Sequence, residues 1–358
     1  MFARVVRGIA AAAVALVSLG AFASPALGAP RPITMDVLIG DSCVSGFAKP
    51  GTVVKVTIKD PSGNVVGTDA MLSGSDGSWF GCEGIFADAL AAGNRIKVFD
   101  YDTNQTLNYT IPRITLSVNR VTNVVSGHAP AGMRLTLEAA DFNAPLFGQD
   151  PYDVVKHLTV GAAGTYSHNF SNDGVDLMAG AQLEVRTRTA DRAVTTRRDL
   201  VVPGLFVNIG QASFGGYMQP FQHLGIKLTI NGAKVATGDG VGDFSGQVQS
   251  EFVDALGEPY RLKGGEMLTA PALAISFTVP KIAGAVDKAT DRVSGTCFRN
   301  GAYVVLAGDL GFANGTAGVA GHFSVDMSEQ MDLRRGDEVL IACFTRTGDV
   351  VEQDIIVQ

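Results

Sequence analysis

One short motif, a glycine followed by any residue and then an aromatic residue, recurs at intervals of about 80 residues and constrains the fold more than any other feature. Its four copies are Gly77-Ser78-Trp79, Gly164-Thr165-Tyr166, Gly242-Asp243-Phe244 and Gly321-His322-Phe323. A period of this length indicates repeated structural units that each bury part of their own surface. Because the sole tryptophan occupies the same position as a tyrosine and two phenylalanines, we predict buried core aromatics rather than sugar-stacking platforms.

Two further signatures recur in the same order around this motif. A turn precedes it, as Val44-Ser45-Gly46, Val125-Ser126-Gly127, Phe214-Gly215-Gly216 and Val293-Ser294-Gly295. A glycine that opens an alternating apolar stretch follows the turn at Gly51, Gly132, Gly225 and Gly301, and again late in each repeat at Gly93, Gly180, Gly265 and Gly336. Alternation of apolar and polar residues indicates half-buried strands, so the sequence predicts an all-β protein.

Proline marks the end of the first three repeats, at Pro112, Pro203 and Pro280. Proline fixes φ and donates no backbone hydrogen bond, so it suits a short junction between sheets. We therefore expect four units, each with about seven short strands in a β-sandwich. Their boundaries are placed at 31–112, 113–203, 204–280 and 281–358.

The order of these signatures resembles the bacterial immunoglobulin-like domains that occur in tandem in exported and surface-attached proteins. The resemblance extends over the chain after its first 30 residues, and the third repeat departs most, with Phe214-Gly215-Gly216 in place of Val-Ser-Gly. It implies four tandem immunoglobulin-like β-sandwich domains. It also implies a role as a spacer, an adhesive module or an accessory domain of a secreted enzyme, although a fold alone does not define a function.

The N-terminus has the three-part pattern of a secretory signal peptide. Arg4 and Arg7 precede an uncharged apolar stretch from Gly8 to Phe22, which small residues follow. We place the signal peptide at 1–28, with cleavage after Ala23 or Gly28; an uncleaved membrane anchor is the alternative. No later segment has the roughly 18 apolar residues of a membrane span. The mature chain is therefore expected to be secreted, extracellular or in the cell envelope, without an integral membrane segment.

The cysteines support an oxidising compartment because their number after the leader is even. They are Cys43, Cys82, Cys297 and Cys343, for which three connectivities exist. We favour Cys43 with Cys82 and Cys297 with Cys343, since each pair then falls within one repeat. Zinc binding is disfavoured because no C-x-x-C spacing occurs and no histidine neighbours a cysteine.

Two strings in the first repeat resemble functional motifs. Gly40-Asp41-Ser42 is similar to the nucleophile block of the Gly-Asp-Ser-Leu esterases, but Cys43 replaces the leucine and no Asp-x-x-His follows near the C-terminus. Asp100-x-Asp102-x-Asn104 is similar to a calcium loop, yet Gln105 replaces its glycine. We interpret the two strings as a strand-end turn and a polar hairpin tip, and we expect no catalytic residue, cofactor or metal.

Departures from the repeat are the better candidates for binding, because loops on a rigid scaffold carry function. One enlarged segment, 141–157, contains Phe142, Phe147 and Tyr152; a second, 217–223, contains Tyr217, Phe221 and His223. These aromatics could contact a sugar or a protein, or pack between neighbouring units.

The net charge of −7 and scattered basic residues disfavour nucleic acid. We therefore predict a non-enzymatic cell-surface protein for binding, adhesion or spacing, with a protein or glycan partner. The alternative is a secreted polysaccharide hydrolase or an accessory carbohydrate-binding protein, and a hydrolase would require two carboxylates facing each other across a cleft.

Overall fold

The structure is a computed structural model that describes residues 32–39, 43–81, 90–141, 152–219, 221–243, 246–282, 284–308 and 311–358. Within these ranges the protein is all-β, without an α-helix, as predicted. Short 3-10 helices occur at Phe170–Asp173 and Pro271–Leu273. The proposed signal peptide and Ser42 lie outside the described residues.

The first fourteen strands form what we call the N-terminal half. They are β1 (Thr34–Leu38), β2 (Val44–Phe47), β3 (Val53–Lys59), β4 (Val65–Leu72), β5 (Ser78–Gly81), β6 (Arg95–Asp100), β7 (Thr106–Thr110), β8 (Ser117–Asn119), β9 (Val124–His128), β10 (Arg134–Asp141), β11 (Tyr152–Thr159), β12 (Thr165–Asn169), β13 (Gln182–Arg188) and β14 (Val194–Val201). They make a four-stranded sheet β4-β3-β6-β7, a three-stranded sheet β12-β9-β8 and a seven-stranded sheet β11-β10-β13-β14-β1-β2-β5.

The remaining strands form the C-terminal half. They are β15 (Gly204–Asn208), β16 (Ser213–Tyr217), β17 (His223–Ile230), β18 (Ala233–Val241), β19 (Gln247–Val253), β20 (Met267–Ala270), β21 (Ile275–Thr278), β22 (Ala285–Asp287), β23 (Arg292–Thr296), β24 (Ala302–Ala307), β25 (Gly311–Thr316), β26 (His322–Asp326), β27 (Glu338–Phe344) and β28 (Val350–Ile356). They make a sheet β21-β20-β17-β18-β19-β16-β15-β28-β27-β24-β25 and a sheet β22-β23-β26.

In each half, the first strand pairs in parallel with the last strand. In the N-terminal half, β1 lies parallel to β14, with Met35 opposite Val194. In the C-terminal half, β15 lies parallel to β28, with Phe206 opposite Val350. The other strand pairs among the described residues are antiparallel, so each half joins its first strand to its last by the same kind of parallel contact.

The buried apolar residues divide in the same way. One large core extends from Ile33 to Val202, and the other extends from Leu205 to Val357. The boundaries expected after Pro112 and Pro280 therefore fall within continuous cores, whereas Pro203 lies between the two. Each half contains two successive sets of seven strands that share one core.

The recurring aromatic residues occupy the core as predicted wherever the structure describes them. Trp79, Tyr166 and Phe323 are buried, and Phe244 lies outside the described residues. Each is paired across two strands with the glycine of the preceding turn signature: Gly46 with Trp79, Gly127 with Tyr166 and Gly295 with Phe323. A Cβ at Gly46 would lie 2.7 Å from Cζ2 of Trp79. The two signatures therefore recur together because the glycine leaves space for the ring.

One of the two predicted disulfides is present among the described residues. Cys297 and Cys343 are bonded, with their Cα atoms 5.3 Å apart, and they join β27 to the segment after β23. Cys43 is also disulfide-bonded. Cys82 lies outside the described residues, so its pairing with Cys43 stays a prediction.

A buried ion pair connects the two halves. Arg120 donates from Nη1 to Asp349 Oδ1 at 2.9 Å and from Nη2 to Asp349 Oδ2 at 3.0 Å. The side chains are only 9% and 2% exposed. Arg120 also donates to the Pro203 carbonyl at 2.8 Å, and Asp349 Oδ1 accepts the Leu205 amide at 3.1 Å. The ion pair thus makes hydrogen bonds to the backbone at Pro203 and Leu205, where the chain passes from one half to the other.

Two glycines permit the close approach at this junction. A Cβ at Gly204 would lie 2.1 Å from the Cβ of Ala179, and one at Gly348 would lie 2.7 Å from the Ala179 amide nitrogen. Gly348 also has a φ of 84°, which disfavours any residue with a side chain. Both glycines belong to the C-terminal half, so the contact depends on their missing side chains.

We predict that Arg120→Ala lowers the free energy of unfolding by about 3–5 kcal/mol, because it leaves the Asp349 carboxylate buried without its counter-ion. Arg292→Ala is the matched control, since Arg292 pairs with Asp326 at 3.3 Å on the surface and both side chains are about half exposed. Its loss should cost at most about 1 kcal/mol. Urea unfolding measures both, and equal losses would contradict a structural role for the buried pair.

A carboxylate beside the β15–β28 pairing has a perturbed pKa. Burial, with a smaller contribution from the Asp354 charge, raises the pKa of Glu352 to about 7. Asn208, opposite Glu352 in the parallel register, donates from its side chain to Asp354 at 3.1 Å. Glu352 therefore faces a second carboxylate in a partly desolvated position.

The raised pKa predicts a stability that falls as pH rises. The folded protein retains the Glu352 proton above pH 4.5, where the unfolded chain releases it, so stability declines until pH is about 7. Glu352→Gln should remove a decline of roughly 1–3 kcal/mol. Urea unfolding at the two ends of this window measures the difference, and Glu251→Gln at an exposed site is the control. A Glu352→Gln variant that declines as steeply as wild type would refute the assignment.

Candidate functional site

The structure describes the side chains of three of the six candidate binding residues, Tyr217, Phe221 and His223. Phe142 and Phe147 lie outside the described residues, and Tyr152 begins β11, where only its backbone is described. Tyr217 ends β16 and His223 begins β17, with Phe221 in the turn between them. The second enlarged segment is therefore one strand-to-strand turn.

Hydrogen bonds fix the backbone of this turn. Met218 is buried, and its amide donates to the Gly246 carbonyl at 2.8 Å. The Phe221 amide donates to the Gly242 carbonyl at 2.9 Å, and the Gln222 amide donates to the Gln219 carbonyl at 3.1 Å. The last bond closes a four-residue turn. The turn is thus anchored to the β18–β19 connection rather than projecting freely.

Phe221 occupies the third position of that turn in a conformation that phenylalanine rarely adopts. Its φ is 59°, in the left-handed region that favours glycine or asparagine at this turn position. Its side chain is 73% exposed, so core packing does not offset the backbone strain. Strained residues in ordered structure are concentrated at functional sites, which makes Phe221 the leading candidate.

Phe221 borders a groove of ≈ 560 Å³ between the two halves of the protein. The N-terminal half contributes strands β8 and β14, and the C-terminal half contributes the turn and the 3-10 helix at Pro271–Leu273. The described lining residues are Ser117, Val118, Leu200, Pro203, Gln219, Phe221, Gln222, Ala272 and Leu273. We call this the junction groove.

The walls of the junction groove are rigid. Leu200 and Leu273 are buried and form its apolar base. Pro203 is held by the Arg120 guanidinium, which connects the groove directly to the buried ion pair. Gln222 is ordered as well, because its side-chain oxygen accepts the Gln219 amide at 3.3 Å. Any ligand would therefore meet a preformed surface.

Tyr217 and His223, the other two candidate residues of segment 217–223, are not among the residues that line the junction groove. Tyr217 packs edge-to-face on Phe206 with ring centroids 5.4 Å apart, and it lies beside Gly180 of the N-terminal half. Burial of the phenol raises the pKa of Tyr217. His223 is exposed and contacts Asp239, with Nε2 2.8 Å from Oδ1. Tyr217 thus packs at the junction, while Phe221 remains accessible.

The arrangement offers an aromatic face, two side-chain amides and an apolar base. Such groups suit ligands that combine an apolar face with hydrogen-bonding edges. None of the described lining residues is a carboxylate, so this part of the groove lacks the acid–base pair of a glycoside hydrolase. Sequence reasoning found Phe221 but could not assign Leu200, Pro203 or Leu273 to the groove, because they come from distant parts of the chain.

The loop that resembles a calcium site is a hydrogen-bonded hairpin tip. Asp100 is fully buried, and its Oδ1 accepts the Thr52 hydroxyl at 2.6 Å and the Asp102 amide at 2.9 Å. Asp102 pairs on the surface with Lys49 at 3.2 Å. These contacts support the turn interpretation. In the described ranges, no group of three or more histidine, cysteine or acidic residues is arranged to hold a metal ion.

No protein-family model and no curated protein matches this chain. Solved structures that match include a tetra-tandem repeat from the extending region of a large adhesion protein, at 16% identity over 91% of this chain and 99% of that one, with a TM-score of 0.18. A Ca2+-stabilized adhesin that helps an Antarctic bacterium reach out and bind ice also matches. It is 16% identical over 92% of this chain and 99% of that one, with a TM-score of 0.16.

The BSP domain of a biofilm associated protein matches at 10% identity over 95% of this chain and 99% of that one, with a TM-score of 0.19. The described part of the chain contains no helix that is long and apolar enough to cross a membrane.

We predict that Phe221→Gly leaves the stability unchanged or raises it by about 1 kcal/mol, because relief of left-handed strain offsets the greater freedom of glycine in the unfolded chain. Val319→Gly is the matched control: Val319 is 80% exposed and has no positive φ. It should lose about 0.5–1 kcal/mol. Thermal and urea unfolding test both, and a marked loss from Phe221→Gly would show that the ring stabilises the fold.

Proposed function

We propose that this protein is an exported, non-enzymatic cell-surface module that binds a glycan in the junction groove. The observation that carries the proposal is Phe221, an exposed aromatic residue held in a strained backbone conformation beside two glutamines and an apolar base. A ring that contributes little to the fold and costs backbone energy requires another reason to be there.

The proposal includes export after removal of residues 1–28 and four immunoglobulin-like units at 31–112, 113–203, 204–280 and 281–358. Seven strands lie within each of these ranges, which supports the division. The Cys297–Cys343 disulfide supports an oxidising compartment, because such bonds are rare in the cytosol. Tandem sandwiches are suited to spacing and adhesion at a cell surface, where a binding site must be held away from the envelope.

The rigidity of the junction also favours binding. Arg120 fixes Pro203 in one wall of the groove and, through Asp349, holds the C-terminal half that carries the other wall. A preformed groove loses less conformational entropy on binding than a flexible loop.

A glycan is the favoured partner because the groove is open, contains no described charge and combines one aromatic face with amides. Sugar rings present apolar C–H faces to aromatic residues and hydroxyl groups to amides. A protein partner would require a larger contact than one groove supplies, since stable protein interfaces bury about 1,200–2,000 Å² in total. Protein capture is therefore the competing outcome of the test.

The test is binding of the purified protein to a glycan array and to isolated cell-wall polysaccharides. Phe221→Gly should weaken binding about two- to tenfold, because one aromatic stacking contact is worth about 0.5–1.5 kcal/mol. Phe221→Trp should retain binding, since it keeps the aromatic face. Val319→Gly, the exposed apolar control, should bind like wild type.

Two outcomes would overturn the proposal. Absence of glycan binding by the wild-type protein would exclude the ligand class. Binding that is unchanged in Phe221→Gly would place the site outside the junction groove. In either case, a protein recovered from cell-surface fractions in a manner that depends on Phe221 would support the competing outcome.

A further inference from the structure

A second groove, which shares no lining residue with the junction groove, is lined by residues of β10, β11 and β13 in the N-terminal half. It has a volume of ≈ 720 Å³. Arg134, Arg186, Arg188 and His157 supply its basic groups, and threonines supply much of the remainder. We call it the basic groove.

Sheet register creates this cluster from separated parts of the sequence. Thr136 lies opposite His157 on one side and opposite Arg186 on the other, so the three side chains form a row across the strands. The Thr136 hydroxyl and His157 Nδ1 are 3.2 Å apart. Next to this row, the Thr187 hydroxyl donates to the Arg134 carbonyl at 2.8 Å, which brings Arg134 and Arg188 to the same end of the groove.

The arginines differ in how their charges are balanced. Arg186 pairs with Glu138 at 3.3 Å and with Glu184 at 3.4 Å, so its charge is compensated within the sheet. Arg134 and Arg188 are exposed, and neither forms an ion pair with any residue that the structure describes. Like charges on neighbouring strands destabilise a sheet. An anion between these two guanidinium groups would relieve that repulsion.

The chemistry of the groove selects among anionic partners. A guanidinium group matches a carboxylate with two parallel hydrogen bonds, and threonine and histidine can bind hydroxyl groups. A nucleic acid is disfavoured because the protein carries a net charge of −7 and the groove lining includes no phenylalanine, tyrosine or tryptophan for base stacking. A polymer with spaced carboxylates and many hydroxyl groups fits both properties.

We propose that the basic groove binds an acidic polysaccharide through its uronate carboxylates, with Arg134 and Arg188 as the principal contacts. This site carries charge, whereas the described lining of the junction groove carries none. The two grooves share no lining residue. The proposal therefore stands or falls separately from glycan binding at Phe221.

The experiment measures binding of the purified protein to polygalacturonate, with uncharged dextran as the reference polymer. Arg134→Ala/Arg188→Ala should weaken binding roughly tenfold. The control Arg299→Ala/Arg335→Ala removes the same charge from exposed positions in the C-terminal half and should bind like wild type. Arg134→Lys/Arg188→Lys should give intermediate binding, because it keeps the charge and loses the planar fork.

Further measurements distinguish binding in the basic groove from non-specific electrostatic attraction and from binding in the junction groove. Wild-type binding should weaken several-fold from about 0.05 M to about 0.5 M NaCl, as expected for exposed charges. Phe221→Gly should bind polygalacturonate normally even if it weakens other glycan binding. Urea unfolding confirms that each variant is folded before its binding is interpreted.

Equal loss in the Arg299/Arg335 control would overturn the proposal, because it would show that net charge alone governs binding. Binding of polyglutamate, dextran sulfate or DNA as tight as that of polygalacturonate would also overturn it, since the groove would then lack selectivity for a carboxylated sugar polymer. Unchanged binding in Arg134→Ala/Arg188→Ala would exclude the groove itself.

Discussion

The Arg120–Asp349 pair is the contact on which the arrangement of this protein depends. It joins the beginning of the second set of strands to the turn before the last strand, 229 residues later in the chain. Asp349 also accepts hydrogen bonds from the hydroxyls of Thr345 and Thr347, so the buried carboxylate is fully satisfied. Desolvation makes such a pair costly to break and a poor source of net stability. We interpret the pair as a source of conformational specificity, because its bonds to Pro203 and Leu205 favour one path of the chain between the halves.

The parallel pairings explain why the repeats are grouped in twos. An isolated sandwich exposes the edge of its first strand, and an exposed edge invites pairing with other chains. In this protein, β14 covers the edge of β1, and β28 covers the edge of β15. In each half, the last strand therefore covers the edge of the first strand.

The strand pattern and the buried aromatics could be predicted because their causes are local. Alternation defines a strand within a few residues, and the glycine opposite Trp79 or Tyr166 repeats because a ring must fit there. The pairing of the first strand with the last could not be predicted in this way, since it has no local signal. Nor could the partner of Arg120: the sequence contains many arginines and aspartates, and only the folded junction selects these two.

The two candidate sites also differ in how far they could be predicted from the sequence. Phe221 could be found from the sequence because it departs from a repeat, although its left-handed backbone and its exposure required the structure. Arg134 and Arg188 carry no such signal, because single arginines in alternating strands are what any solvated sheet face contains. They become a site only when the register of β10 and β13 brings them together away from the carboxylates that neutralise Arg186. Charge clusters on sheets are therefore properties of register, and a scattered basic composition does not exclude them.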